Sequence, residues 1–500
     1  SSAARSEEPI SRAVHLIRSA SPSAINFLLY RIRPVCCRDT WDRRQSKKRR
    51  GAIRLYKIIL SENVNRYHCE ELIKIFLRPD RFRIYYVPEA VSDSYGEDKA
   101  DIVINLTSAA FVEADKDTVK RELFRRLSEA TGHCHEWGIL TGVRPVKLAG
   151  ELVRKFGSDE AVSRVLREQY LLSEEKKDLI LSIYRYQQKQ LSMPPERSVG
   201  LYLGIPFCPT RCLYCAFTSN QAEPAEIERY LKALHHEIDG TAALMKSRGL
   251  YPESVYIGGG TPTTLTAGQL DELMAHINTA FDISGLREFT VEAGRPESMK
   301  DETLELIGRS HKASDIRRAF EDAKSVGIPC INADVIAGLS GEDEADFGRT
   351  LDQIIAMGAD NITVHTLAVK RASRLVELDK DFHYKQAEIV KRQLERGRAI
   401  LAENGYRPYY LYRQKNMAGG LENVGYCKND TLSVYNVRIM EEMQTIVALG
   451  AGGISKVYYP SENRLERAAN VSNYQIYIDR IDEMIERKEK IIFQEEKTIC

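Results

Sequence analysis

The sequence predicts an α/β protein built on a parallel sheet. Two observations carry this. From residue 199 to residue 412, apolar runs of strand length alternate with stretches of helix length, the rhythm of strand–helix–strand units. The run 201–207 is too short for a helix and reads as a buried strand.

Taken in order, residues 1–50 have no clear period and end in the basic run 43–50. They read as a leader, disorder being favoured over a basic presequence or a nucleic-acid arm. From residue 51 the pattern tightens. Strands at 53–60, 82–87 and 102–106 and helices at 68–76 and 118–130 describe a small α+β domain. His133, Cys134 and His135 invite a metal, but alternate residues of an extended piece point apart and no fourth ligand is near. Trp137, Gly138, Gly142 and Pro145 read as a rigid turn into three helices. The polar segment 192–198, SMPPERS, ends this domain near residue 195.

The core then spans 196–410. Helix 226–245 places Ile227, Leu231, Leu234 and Ile238 on one face. Strand 254–257 runs into three glycines, and helix 267–280 and strand 288–293 follow. Helices at 301–307 and 314–326 come in tandem before strand 330–337. A parallel rhythm requires a crossover and a strand between them, so one βα unit is missing. Helix 344–357, strand 361–368, helix 384–404 and strand 406–412 complete the core. Residues 411–500 form a mixed C-terminal domain with a charged helix at 473–490.

Composition narrows the class. A net charge of +1 gives no field pulling the chain toward nucleic acid. No apolar run is long enough to span a bilayer. Ten cysteines in 500 residues are not a disulfide framework. Reduced thiols place the chain in the cytoplasm.

Cys208, Cys212 and Cys215 are spaced CxxxCxxC directly after the first core strand. That is where open sheets and barrels carry their chemistry. Three thiolates cannot fill four positions around zinc, whose structural sites are usually spaced CxxC. A four-iron cluster would keep one iron open for another ligand. Zinc or packing is the rival reading. The glycines 258–260 follow a strand and let backbone approach a ligand, although a tight turn would use them as well. Glu292 and Asp334 lie at or within strands, where buried acids need partners such as a ribose, a helix N-terminus or a basic side chain.

The cysteine spacing, with Tyr214 before the last thiol, resembles the radical S-adenosylmethionine (radical SAM) enzymes. YLGIPFC, VYIGGGTPT, VEAGRP and GRSH resemble the oxygen-independent coproporphyrinogen-III oxidases within them. WGILTGVRP, RQKNMAGGLENVGY and ALGAGGISK look like the longer branch with an extra N-terminal domain. The resemblance implies a partial (βα) barrel, a 4Fe-4S cluster held by Cys208, Cys212 and Cys215, and S-adenosylmethionine on the open iron. It places Tyr202, Gly259, Glu292 and Ile454 in a first S-adenosylmethionine site. Tyr214, Gly260, Thr261, Arg309, Asp334 and Ala368 belong to a second.

The implied activity converts propionates of coproporphyrinogen III to vinyl groups, giving protoporphyrinogen IX. An electron donor such as flavodoxin or ferredoxin is implied as partner, with no nucleic acid and no membrane. Arg407, Arg413 and Lys415 flank an aromatic run and are candidates for binding propionates, or a solvated basic face. A haem chaperone on the same scaffold is the alternative. Such sequences usually read CDF where this chain has Cys215-Ala216-Phe217, and they lack the N-terminal domain. Other radical chemistry, such as methyl transfer, is a third reading. In the family, a helix and a strand stand where Pro296 to Met299 join the third strand to the tandem helices, and Glu297 falls where a glutamine contacts the second site. The expectation is a sheet one strand short, apolar surface at the gap, a distorted site around Arg309 and weak turnover.

Overall fold

The computed structural model describes residues 54–493 except 97–98, 109–110, 112–114, 143, 216–219, 295–297, 369–385 and 415–416. The leader 1–50 with Cys36 and Cys37, and also Glu297, Lys415 and Cys500, lie outside the described residues.

The chain begins with β1 (Tyr56–Ser61), α1 (Arg66–Phe76), β2 (Phe82–Val87), β3 (Ile102–Leu106) and α2 (Lys116–Thr131). These strands form a parallel sheet in the order β2-β1-β3. Asn65 and Asp115 cap the two helices with side-chain oxygens, satisfying backbone donors that have no helical partner. Helices α3 (Pro145–Phe156), α4 (Asp159–Glu168) and α5 (Glu174–Gln190) follow.

The core continues with β4 (Ser198–Ile205), α6 (Pro224–Ser247), β5 (Tyr251–Gly259), α7 (Ala267–Ala280) and β6 (Glu288–Val291). After the tandem α8 (Asp301–Leu306) and α9 (Ala313–Ser325) come β7 (Asn332–Ala337), α10 (Glu344–Ala356), β8 (Asn361–Thr366), α11 (Ala387–Glu403) and β9 (Arg407–Tyr412). The last stretch holds more strand than its sequence pattern reveals. It contains β10 (Asn423–Cys427), α12 (Val434–Glu441), β11 (Ile446–Leu449), β12 (Ile454–Tyr459) and β13 (Arg464–Ala469). The charged helix expected at 473–490 is broken at Arg480 into α13 (Tyr474–Asp479) and α14 (Ile481–Ile491).

Strands β4, β5 and β6 pair in parallel, and β11 joins β4 on the other side, also in parallel. With β12 and β13 they make a six-stranded sheet ordered β13-β12-β11-β4-β5-β6. A second sheet is ordered β7-β8-β10-β9, with β7 and β8 parallel. Among the described residues β6 pairs with β5 alone and β7 with β8 alone. Among the described residues no backbone ladder joins the two sheets between β6 and β7, where the sequence pattern lacks a βα unit. All four residues of β6 are half-buried, and Val326 and Ile328, which lead into β7, are exposed. That is the apolar surface expected at the gap.

Each sheet has its own core. Leu201, Leu203 and Ile205 of β4 pack with Leu234 and Ile238 of α6. Ala333, Val335 and Ala337 of β7 pack with Leu351 of α10 and Leu394 of α11.

Helix α12 ties the two halves together. Its Arg438 forks onto Glu253 of β5 with two hydrogen bonds of 3.0 Å, both residues being buried. Gln444 donates to the same carboxylate at 2.8 Å and Arg287 at 3.1 Å. Burial would raise the Glu253 carboxyl, but Arg438, Gln444 and Arg287 together outweigh it and hold the group below the usual range. Removing one partner of such a pair strands a buried charge. Arg438→Met is expected to cost about 3–5 kcal/mol of unfolding free energy in guanidinium titration. The double change with Glu253→Gln should recover much of that loss.

Candidate functional site

A cavity of 920 Å³ is lined by the cysteine loop and by residues of β5, β6, β7, β8 and β9. It lies near the top of the roughly 300–1,000 Å³ range of small-molecule pockets. Cys208, Cys212, Cys215, Tyr214, Gly259, Gly260, Thr261, Glu292, Arg309, Asp334 and Ala368 all line it. Tyr202 and Ile454 do not.

The cysteine loop is closed at its base. Cys208 N donates to Asn220 O at 3.0 Å, and Asn220 N donates to Pro206 O at 2.9 Å. Cys215 N bonds to Cys212 O at 3.2 Å, closing a turn between the last two cysteines. Leu213 N donates to Ile307 O at 3.1 Å, which brings the end of α8 and Arg309 to the loop. Burial pushes the Cys208 thiol up. Its contact with the Thr261 hydroxyl at 3.5 Å pulls it back, Cys215 pushes it up again, and Arg309 opposes that.

This donor set fits a cluster better than one small ion. Sulfurs around a tetrahedral zinc stand about 3.8 Å apart. Among the described residues, the only three such donors within 4.8 Å of one another are Glu136, Glu175 and Glu395. The three cysteine sulfurs are therefore more widely spread. Cys134 is exposed, and His135 packs edge-on to Phe76 at 4.5 Å, its pKa lowered to about 4 chiefly by burial. Neither belongs to a metal set among the described residues.

The glycine turn serves the cysteine strand first. Gly259 has φ +117°, and a Cβ on Gly260 would stand 2.4 Å from Phe207 O and 3.0 Å from Cys208 Sγ. Only glycine lets the turn lie against the loop, where Gly260 N bonds Ile205 O at 2.8 Å and Thr261 N bonds Phe207 O at 2.7 Å.

Glu292 accepts the Tyr256 hydroxyl at 2.7 Å. Tyr256 stacks on Tyr435 of α12 at 4.5 Å, and Tyr202 stacks on Tyr256 at 6.2 Å. Tyr202 thus stands behind Tyr256, and its phenol is raised by burial and by Glu292. Ile454 is the exposed first residue of β12. Asp334 accepts from Asn332 Nδ2 at 2.8 Å and lies 3.2 Å from His365 Nε2. Ala368 forms an isolated bridge to Met417.

Two propionate candidates change standing. Arg413 is buried, donates to Leu140 O and to Gly420 O (2.6 Å), and stacks over Trp137 at 4.7 Å. Its fork is committed to the connector 137–145, so it is not part of a basic face. Arg407 is exposed and does not line the cavity. Sequence reasoning missed Tyr256, His365 and Tyr412, all in the cavity lining. Strand alternation was the available signal: Tyr256 is two residues before Gly258, and His365 is two after Thr363.

The model of the radical SAM superfamily matches residues 202–354. The oxygen-independent coproporphyrinogen-III oxidase-like protein HemZ of Bacillus subtilis is 34% identical over 410 residues, covering 76% of this chain and 81% of that protein. The heme chaperone HemW of the same organism is 31% identical over 192 residues, covering 34% of this chain and 50% of that one. Among solved structures, the coproporphyrinogen III oxidase HemN of Escherichia coli aligns with a TM-score of 0.45 at 20% identity, over 60% of this chain and 73% of that one. The chain belongs to the radical SAM superfamily, among the oxygen-independent coproporphyrinogen-III oxidase-like proteins. Its cofactors are a 4Fe-4S cluster and S-adenosylmethionine. No helix among the described residues is long and apolar enough to cross a membrane.

After anaerobic reconstitution with iron and sulfide, alanine at Cys208, Cys212 or Cys215 is expected to abolish the brown iron–sulfur absorption. Alanine at Cys330 or Cys427 should leave it intact. A full four-iron cluster in any one of the first three variants would refute the ligand set.

Proposed function

We propose that this chain carries out the oxygen-independent oxidative decarboxylation of coproporphyrinogen III, converting two propionates to vinyl groups. The observation that carries the reading is one cavity that gathers the three thiols, the Gly-Gly-Thr turn, Glu292, Arg309, Asp334 and Ala368 from separate strands and loops. The identity with an oxidase-like relative over most of both chains supports it.

Cys208, Cys212 and Cys215 would hold three corners of the cluster, and bound S-adenosylmethionine would supply a radical that takes hydrogen from the substrate. Each propionate then loses carbon dioxide and one electron. A donor protein such as flavodoxin or ferredoxin would reduce the cluster, and an acceptor would take the product electron. Glu292, held by Tyr256, would meet the first S-adenosylmethionine, with Tyr202 acting through Tyr256. Thr261, Arg309 and Asp334 would meet the second ligand, the planar fork of Arg309 suiting a carboxylate. Gly259, Gly260, Tyr214 and Ala368 would shape the walls. The heme chaperones matched over 192 residues favour haem binding as the second reading.

The missing ladder between β6 and β7 among the described residues sets the expected efficiency. A closed site keeps water and side reactions out, whereas this cavity reaches Glu288 of β6 and Cys330 and Asn332 at the start of β7. Incubated with S-adenosylmethionine, a low-potential reductant and coproporphyrinogen III, the reconstituted protein is expected to release several 5′-deoxyadenosines per vinyl group formed. Product analysis beside haem titration checks this. Stoichiometric haem binding without any vinyl product would sink the oxidase reading in favour of the chaperone.

A further inference from the structure

His365 is a cavity residue that neither the sequence motifs nor the proposed cofactor contacts employ. It lies on β8, two residues after Thr363, which pairs with Asp334 of β7. His365 and Asp334 are therefore diagonal neighbours on one face of the sheet. His365 Nδ1 lies 3.1 Å from the Tyr412 hydroxyl. His365 Nε2 is buried and makes no hydrogen bond, although it lies 3.2 Å from Asp334 Oδ2.

Why Tyr412 reaches β8 is legible in the packing. Strand β10 lies between β8 and β9. Its Gly425 faces both Thr363 and Tyr410. A Cβ there would stand 1.8 Å from the Tyr410 ring. Without it, Tyr410 crosses β10 to reach the Thr363 hydroxyl at 3.3 Å. Tyr412 stacks beside Tyr410 at 6.2 Å, nearly parallel at 10°. The tyrosine pair is thus held against β8, and Tyr412 fixes the plane of the imidazole.

The Asp334 carboxylate beside Nε2 favours the tautomer that carries its hydrogen there and leaves Nδ1 to accept from Tyr412. An imidazole that accepts the Tyr412 hydroxyl at Nδ1 carries its own hydrogen at Nε2. Its Nε2 stands at ion-pair distance from Asp334 without making a hydrogen bond, and a buried donor left so is costly unless a ligand takes it. Beside it stands a carboxylate, an acceptor. A donor and an acceptor side by side match a group that both accepts and donates, namely a hydroxyl.

We propose that His365 is a specificity-determining residue of this cavity, donating from Nε2 to a ribose hydroxyl that in turn donates a hydrogen bond to Asp334. The inference rests on the reading of the cavity as an S-adenosylmethionine site, but not on the tetrapyrrole substrate. It requires that removing the imidazole erase discrimination for that hydroxyl rather than weaken all ligands alike.

The test is equilibrium binding to the reconstituted protein of S-adenosylhomocysteine and its 2′-deoxy and 3′-deoxy analogues. The relevant binding phase is the one that Asp334→Asn weakens. Wild type is expected to bind the parent about tenfold more tightly than one of the deoxy analogues, the worth of one hydrogen bond. His365→Leu should lose that tenfold for the parent and leave the deoxy analogue unchanged. His365→Gln, which keeps an N–H donor, should recover part of the preference. Equal weakening of all three ligands in His365→Leu would assign the residue a structural role and overturn the proposal. So would a wild type that does not discriminate, or one that binds none of the three. Because no tetrapyrrole is present, discrimination by His365 stands or falls separately from coproporphyrinogen turnover.

Discussion

The bidentate Glu253–Arg438 pair is the interaction on which the site depends. No ladder of backbone bonds joins β6 to β7 among the described residues. Helix α12 takes that role. It enters from β10 of the second sheet and leaves into β11 of the first. Arg438 pins one end of it to β5. At the other end Glu288 of β6 receives Ser433 Oγ at 2.9 Å and the backbone N–H of Val434. A carboxylate at a helix N-terminus satisfies donors that the helix itself leaves open. Glu288 is nevertheless raised, because burial outweighs those hydrogen bonds.

From α12 the constraint runs to the chemistry in three contacts. Tyr435 stacks on Tyr256 at 4.5 Å, Tyr256 holds Glu292 at 2.7 Å, and Glu292 lines the cavity with the thiols. These are side-chain contacts, and stacking adds only about 0.5–1.5 kcal/mol beyond burial. The orientation of Glu292 is therefore more sensitive to packing under β5 than a strand-end residue usually is.

The sequence disclosed the cluster loop and the strand rhythm because both are local. Thiol spacing needs no tertiary context, and the runs 201–207 and 332–337 are apolar enough to read as buried. The tandem helices α8 and α9 were legible too, as two stretches of helical period with no strand pattern between them. What escaped was set by distant partners. Strands β11 to β13 are short, and β11 takes its place from pairing with β4, more than two hundred residues earlier. Arg413 looked like a solvent cation because Trp137 and Leu140, its partners, lie in another part of the chain. Tyr412 and His365 meet only because Gly425 is on the strand between them, a steric fact that no motif records.

The missing ladder between β6 and β7 among the described residues need not scatter the residues around it. The segment after the gap is fastened to the second half, not left hanging from β6. Met299 N donates to Thr350 Oγ1 at 3.2 Å, and Lys300 pairs with Asp346 at 3.2 Å, both on α10. Asp301 receives Ala313 N at 2.8 Å, fixing α8 against α9. The cysteine loop then spans both halves. Its Cys208 end lies on Thr261 of the first sheet, while Tyr214 packs on the core of the second and Leu213 bonds Ile307 after α8. Arg309 follows two residues on and lines the cavity with the thiols. The loop that carries the cysteines is thereby tied to the turn that leads into Arg309. Ligation of that loop by a cluster would stiffen this bridge further, since binding energy at a site formed only in the folded state is folding energy.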